Sequence, residues 1–281
     1  MPILNLLPIK QAVKMGANEL VDSDTPELDS ELLLLHCLDA HRNILFTDPD
    51  QLLSIEQQKQ FIALIQRRKE GEPVAYLIGE QGFWDLTLKV STHTLIPRAD
   101  TESLIDWVLA ANLQPQRILD LGTGTGAIAL ALAKEFPQAS VLGVDLIADA
   151  VELAQSNQIL NQIDNARFIQ SSWFEHVPDQ AFDLIVSNPP YIDEQDEHLE
   201  QGDVQFEPKS ALVAKQNGFS DLFEIAASGL QYLSTNGCLL MEHGWQQAEG
   251  VREELVRLGY INVGSGKDLA GQWRFTFGYK A

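Results

Sequence analysis

The stretch Arg117-Ile118-Leu119-Asp120-Leu121-Gly122-Thr123-Gly124-Thr125-Gly126-Ala127 leaves this chain few folds to choose from. An apolar strand runs directly into alternating glycines, and these open the helical pattern Ile128-Ala129-Leu130-Ala131-Leu132-Ala133-Lys134. Glycine at such a point lets the backbone turn tightly and lets a ligand approach the helix N-terminus closely. A second strand, Ser140-Val141-Leu142-Gly143-Val144-Asp145, ends in a carboxylate 19 positions after Gly126. An acid about 20 residues past the glycines holds ribose hydroxyls in nucleotide-binding βαβ units. The spacing is Gly-x-Gly-x-Gly, not the Gly-x-Gly-x-x-Gly of dinucleotide enzymes. Together these parts point to a nucleoside-type ligand; the bland alternative is an ordinary tight turn between strand and helix.

Asn188-Pro189-Pro190-Tyr191 is the second informative stretch, and it breaks the strand-like run 182–187 abruptly. Two successive prolines remove two backbone donors and fix φ, so the loop is stiff and its carbonyls stay out of a ladder. Asn188 adds one acceptor and two donors, and Tyr191 adds a flat face with a polar tip. That set suits gripping a planar NH2 group by both hydrogens while a ring stacks on its plane.

Around these motifs strands alternate with helices. Strands are expected at 118–121, 141–145, 167–170, 182–187 and 237–242, with helices at 127–136, 148–160, 221–233 and 246–258. That order argues a doubly wound α/β sheet with its ligands at the strand C-termini. The tail, 260–263 and 274–279 around a Gly-rich turn, reads as a closing antiparallel hairpin. Residues up to about 70 read as helices at 6–20, 27–38 and 55–69, with a short turn at 42–46. Leu28, Leu32, Leu35 and Leu38 sit at helical spacing, as do Phe61, Ile62 and Ile65. Thr25-Pro26-Glu27 starts a helix, and Thr101 or Asp100 caps another. Period-two alternation of Leu86, Leu88 and Val90 against Asp85, Thr87 and Lys89 predicts a hairpin. The expected organisation is a helical domain at 1–73, a linker with a β-hairpin at 74–96 and a catalytic domain at 97–281. The helical part carries no catalytic pattern, which makes it a candidate for substrate recognition.

Asp-x-Gly-x-Gly-x-Gly followed by Asn-Pro-Pro-Tyr resembles the S-adenosylmethionine-dependent methyltransferases that modify planar nitrogens. The motifs alone leave open a nucleobase exocyclic amine or a glutamine side-chain amide as acceptor. The net charge of -21 favours the second, because a nucleic-acid enzyme must hold phosphates and shows a basic stripe for it. The one short basic cluster, Arg67-Arg68-Lys69, closes a helix as favourable C-terminal charge. Further runs, Gly71 to Gly79, Pro97-Arg98-Ala99-Asp100-Thr101-Glu102 and Phe206-Glu207-Pro208, resemble the HemK/PrmC family over nearly the whole chain.

The resemblance implies a Rossmann-like methyltransferase sheet behind a small N-terminal helical domain. It also implies methyl transfer from S-adenosyl-L-methionine, leaving S-adenosyl-L-homocysteine. The acceptor implied is the glutamine of the Gly-Gly-Gln motif in peptide-chain release factors 1 and 2. Residue by residue, it assigns Gly122, Thr123, Gly124, Thr125, Gly126, Asp145, Trp173 and Asn188 to the cofactor. Asn188, Pro189, Pro190 and Tyr191 go to the acceptor amide, with Asn188, Pro189 and Tyr191 as the catalytic set. Two positions depart from the family pattern: Ser172 where relatives carry an acid near adenine, and Ala99 where they carry Pro. A nucleic-acid amino methyltransferase and a binding module without turnover are the competing readings.

Other chemistry finds little support. His36, His41, His93, His176, His198 and His243 show no paired metal-ligand spacing, and no metal is expected. Cys37 and Cys238 read as buried small hydrophobes in a reducing compartment. No long apolar run or leader stands out, so a cytoplasmic protein without membrane or nucleic-acid contact is expected. Arg98 faces either the substrate or a carboxylate, and the acidic segment 193–208 reads as a lid over the substrate.

Overall fold

The computed structural model describes residues 6–178 and 181–281. It divides into two compact units, the first made of 1–79 with 201–206 and the second of 80–200 with 207–281.

The first unit is helical: α1 (Ile9–Glu19), α2 (Pro26–Leu38), α3 (Ile44–Thr47), α4 (Ile55–Lys69) and α5 (Val74–Ile78). Pro26 occupies the first turn of α2, and Ser54 with Gln57 forms a reciprocal capping box at the start of α4. Ile9, Leu33, Leu34, Phe61, Leu64 and Ile65 form the core. The expected inner face of α2 is displaced by about one position, since Leu28 and Leu32 are exposed while Asp29 and Ser30 are buried. These polar residues go inside because each is satisfied there. Asp29 accepts from the Ser23 and Thr25 hydroxyls at 2.8 and 2.9 Å and from Arg68 Nε at 2.8 Å. Ser30 donates to the Val13 carbonyl at 2.8 Å. Ile62 is likewise exposed. The cations ending α4 are all paired, Arg67 with Glu72, Arg68 with Asp29 and Asp203, and Lys69 with Glu19.

The second unit opens with the antiparallel pair β1 (Glu80–Phe83) and β2 (Leu86–Lys89). The boundary between the units falls at Gly79, not at residue 73, and α5 stands where a linker was expected. Phe83, Leu86 and Leu88 sink into the core of the second unit, so the hairpin belongs to it. Then follow α6 (Glu102–Ala110), β3 (Arg117–Leu121), α7 (Ala127–Glu135), β4 (Ser140–Asp145), α8 (Ala148–Leu160), β5 (Ala166–Gln170) and β6 (Phe182–Ser187). A short parallel pair, β7 (Ile192–Asp193) with β8 (Val213–Ala214), and the kinked turn α9 (Lys215–Gly218) precede α10 (Ser220–Tyr232). The chain closes with β9 (Leu233–Glu242), α11 (Ala248–Leu258), β10 (Ile261–Lys267) and β11 (Trp273–Tyr279).

Seven strands form one sheet in the order β10-β11-β9-β6-β3-β4-β5, parallel except that β11 runs against both of its neighbours. Period-two patterning splits each strand between two cores. Ile118, Val141, Leu184, Val186 and Leu240 face α7 and the hairpin, whereas Leu119, Leu142, Ile185, Leu239 and Met241 face α10 and α11. Each such side chain contributes about 1.5–3 kcal/mol on full burial. The glycines at 264 and 266, expected as a turn, instead extend β10. Phe277 and Phe275 of β11 lie over them and fill the space a side chain would need. The turn itself comes after β10 (Ile261–Lys267), where the Gly271 N–H bonds the Asp268 carbonyl at 3.0 Å.

Candidate active site

The sheet reverses its winding between β3 and β6. From β3 the chain steps outward through β4 to β5, then returns to lay β6 on the other side of β3. Ligands in open α/β sheets bind at such a switch, beyond the strand C-termini. Leu121 and Ser187 are register partners, and the Ser187 hydroxyl donates to the Leu121 carbonyl at 2.7 Å. Gly122 and Asn188 therefore leave the sheet side by side. A cavity of about 260 Å³ opens there, with Gly122, Thr123, Gly124, Thr125, Asp145, Trp173, Asn188 and Pro190 in its wall. Gly126, Pro189 and Tyr191 are not among its lining residues.

The glycine half is built from backbone. Gly122, Gly124 and Gly126 take φ of 70°, 53° and 83°, the left-handed region that costs a side-chain-bearing residue about 1–2 kcal/mol. The Trp173 ring lies 3.4 Å from the place where a Cβ on Gly122 would stand. Asp145 accepts from the Gly124 N–H at 2.8 Å with one oxygen and from the Ile147 N–H at 2.9 Å with the other. Burial holds its carboxyl above the usual range, and those backbone donors oppose the rise. Each oxygen keeps a second lone pair for a ligand hydroxyl. Beneath the turn, buried Asp120 accepts from the Thr123 hydroxyl at 2.6 Å, while its Oδ1 has no partner among the described residues. Burial pushes Asp120 up to about 7. An aromatic face and a carboxylate beside the bare backbone of a glycine turn fit a nucleoside-type ligand. Ser172, the departure from the family acid, also lines the cavity and offers a hydroxyl there.

The Asn188 half is built from side chains. The Asn188 Nδ2 donates to the Thr101 hydroxyl at 3.2 Å, which turns the amide so that its oxygen is the acceptor left for a ligand. Thr101 makes no capping bond to α6, contrary to expectation, because its hydroxyl serves Asn188 instead. Pro189 is buried. The Tyr191 hydroxyl donates to Glu242 Oε1 at 3.2 Å, and the Tyr191 carbonyl accepts from Gln247 Nε2 at 3.1 Å. Burial, then the charge of Glu242, raises the Tyr191 phenol above its usual range, so it stays a donor. Arg98 meets a carboxylate: its Nη2 lies 2.8 Å from both oxygens of buried Glu207. Segment 193–208 is no open loop, since it folds into short 3-10 turns at Glu197–Glu200 and Gly202–Phe206. His243 is structural and neutral, with Nε2 2.8 Å from the Thr276 hydroxyl and burial pulling it down to about 4.

Sequence reading missed Thr101 as a site residue and missed Arg274 altogether, whereas Glu242-His243-Gly244 reads in sequence as a strand end lining the cleft; the structure leaves those three out of the cavity wall and sets Glu242 behind Tyr191. Thr101 carried a detectable signal, since it lies in the motif run after Pro97.

The methyltransferase small domain family matches residues 100–241, and the PrmC N-terminal domain family matches residues 11–79. The release factor glutamine methyltransferase of Aliivibrio fischeri is 53% identical over 259 residues, 91% of each chain. That of Salmonella typhimurium is 51% identical over 264 residues, 94% of this chain and 95% of the relative. A methyltransferase structure from Pyrococcus furiosus superposes with a TM-score of 0.55 at 19% identity, covering 78% of this chain and 98% of that one. That likeness speaks for the fold, whereas the sequence relatives speak for the family. With the glycine turn and the Asn-Pro-Pro-Tyr loop on one sheet edge, the chain belongs to the family of release factor glutamine methyltransferases.

Proposed function

We propose that the protein methylates the side-chain amide nitrogen of the Gly-Gly-Gln glutamine in peptide-chain release factors 1 and 2. The observation that carries this reading is the adjacency of Gly122 and Asn188 at the ends of paired strands. S-adenosyl-L-methionine, when bound, supplies an electrophilic methyl group; the rest of the chemistry is positioning by this chain. Gly122 to Thr125, Asp145 and Trp173 would hold it. An amide nitrogen is a poor nucleophile because its lone pair is delocalised, so both N–H bonds need acceptors as positive charge develops. The Asn188 oxygen accepts one and the Pro189 carbonyl the other. Tyr191 contributes its ring to the loop that seats the amide plane. No strong base is needed, since the alkylated nitrogen becomes acidic and releases its proton late.

The charge balance favours a protein acceptor, because the described cations near the C-terminus of α4 are all engaged by carboxylates. The helical unit is the natural candidate to recognise the release factor, in the cytoplasm where such factors work. Incubating the protein with methyl-labelled cofactor, purified release factor and a DNA oligonucleotide separates the readings. Label should appear on the release factor and disappear when its Gly-Gly-Gln glutamine is replaced. Label on the oligonucleotide alone would refute the proposal.

A further inference from the structure

The carboxylate of Glu242, at the end of β9, is buried with only 2% exposed, yet no step of methyl transfer calls for it. Its place is telling. β9 is the neighbour of β6, with Met241 beside Ser187, so Glu242 sits one strand away from Asn188 at the same sheet edge. Its Oε1 receives the Tyr191 hydroxyl at 3.2 Å. On another side stands Thr101, whose oxygen already accepts from Asn188 Nδ2 at 3.2 Å. A hydroxyl that accepts through its oxygen still has a proton to give, and the nearby Thr101 hydroxyl favours the charged form of Glu242. Glu242 Oε2 makes no well-formed hydrogen bond among the described residues, which leaves acceptor capacity in the buried cluster.

The carboxylate holds the Tyr191 end of the Asn188–Tyr191 loop, and Thr101, which holds the Asn188 end, stands beside it. Taking the methyl-transfer reading as given, we propose that Glu242 is a positioning residue. It clamps Tyr191 directly and Asn188 through Thr101, fixing the Asn188 amide with its oxygen toward the acceptor. In the proposed chain of bonds the direction matters: Thr101 accepts from Asn188, its proton goes to Glu242, and the Asn188 amide cannot then flip without losing its bond. A flipped amide would present NH2 to the substrate NH2, donor against donor.

The charged and titratable groups facing this carboxylate come from three elements: Arg274 of β11, Asp100 beside Thr101, and the neutral Tyr191 itself. Arg274 is shared, since its Nη2 also lies 2.9 Å from Asp268 and 3.1 Å from Asp100. Burial pushes Glu242 up to about 7, against the Thr101 hydroxyl, Arg274 and the Tyr191 hydroxyl, which favour the charged form. The clamp needs the ionised carboxylate, because only that form accepts from two hydroxyls on equal terms. Turnover should therefore rise with pH through about 7.

The test compares full-length wild type with Glu242→Gln, Thr101→Val and Thr101→Ser, using purified release factor and labelled S-adenosylmethionine. Glu242→Gln should lower kcat by about 10–100-fold, the scale of a misplaced reactant. Cofactor affinity by calorimetry should stay within about twofold, because Glu242 is not in the cavity wall. The acid limb of the kcat–pH profile should vanish in that variant. Thr101→Ser should regain most of what Thr101→Val loses. A kcat for Glu242→Gln within twofold of wild type overturns the proposal. So does a rate loss matched by an equal loss of cofactor affinity, which would mark a general structural role. Hydrogen exchange at the Tyr191 and Ile192 amides reads the clamp without any acceptor. It should speed up by about tenfold in Glu242→Gln, and unchanged protection overturns the clamp even if wild type were to methylate something else. Absence of label on the release factor with wild type would instead sink the proposed function.

Discussion

Two loops leave neighbouring strands at one edge of the sheet, yet they are built on opposite principles. The loop after β3 works through absence. Three glycines at positive φ remove side chains so that the Trp173 ring and a ligand come close to the backbone. The loop after β6 works through presence. Prolines stiffen it, and Asn188 and Tyr191 are each tied by a side-chain bond, to Thr101 and Glu242. On the proposed function, the first loop would hold the cofactor by shape and by one carboxylate, and the second would aim a poor nucleophile and so need directional acceptors. Binding and aiming are thus separable, and substitutions should separate them.

The largest effect belongs to the aiming loop. Asn188→Ala should lower the rate of transfer by about 10²–10³-fold, the scale of losing a preorganised group in the transition state. Cofactor affinity, read by calorimetry, should stay within a few-fold. Asp145→Ala should do the reverse. Loss of a charged acceptor costs about 1.5–3 kcal/mol, so the cofactor dissociation constant should rise by about 10–100-fold. An unchanged constant would remove Asp145 from the cofactor's partners.

Stability gives a third contrast. Burial raises Glu242 from 4.5 to about 7, so the folded state holds its proton more tightly than the unfolded chain does. Its contribution is full below the unfolded value and is lost as pH rises from about 4.5 through about 7. Glu242→Gln should therefore lose less stability than wild type between pH 5 and pH 8, by about 1–3 kcal/mol in urea titrations. Parallel losses in the two proteins would contradict the buried, proton-holding state. The smallest effect is Gly124→Ala, where φ is 53° and the nearest obstacle to a Cβ is Thr94 at 3.8 Å. With space available, only the backbone conformation is penalised, so the melting temperature should fall by the equivalent of about 1–2 kcal/mol.

The same contrast explains what could be read from sequence. Glycines at fixed spacing between a strand and a helix have few structural uses, so 122–126 and Asp145 announced the fold and the place of the cavity. Asn-Pro-Pro-Tyr announced itself because two prolines end a buried strand for a reason. The buttress behind that loop is hard to read in sequence. Thr101 looked like a helix cap and Glu242 like a strand terminus, and only folding brings together residues 87 and 51 positions from their partners. The inner face of α2 was misread for a related cause. Asp29 and Ser30 look like surface residues until Arg68, Ser23 and the Val13 carbonyl satisfy them. The glycines of β10 read as punctuation in the sequence, whereas in the fold they are spaces for Phe275 and Phe277.

The division between holding and aiming is tested most directly by single-turnover methylation of release factor at saturating cofactor. Wild type, Asp145→Ala and Asn188→Ala should be followed side by side. Saturation should restore Asp145→Ala to near the wild-type rate and leave Asn188→Ala at least about 100-fold slow. Recovery of Asn188→Ala by added cofactor would contradict the account, because the two loops would then share one task.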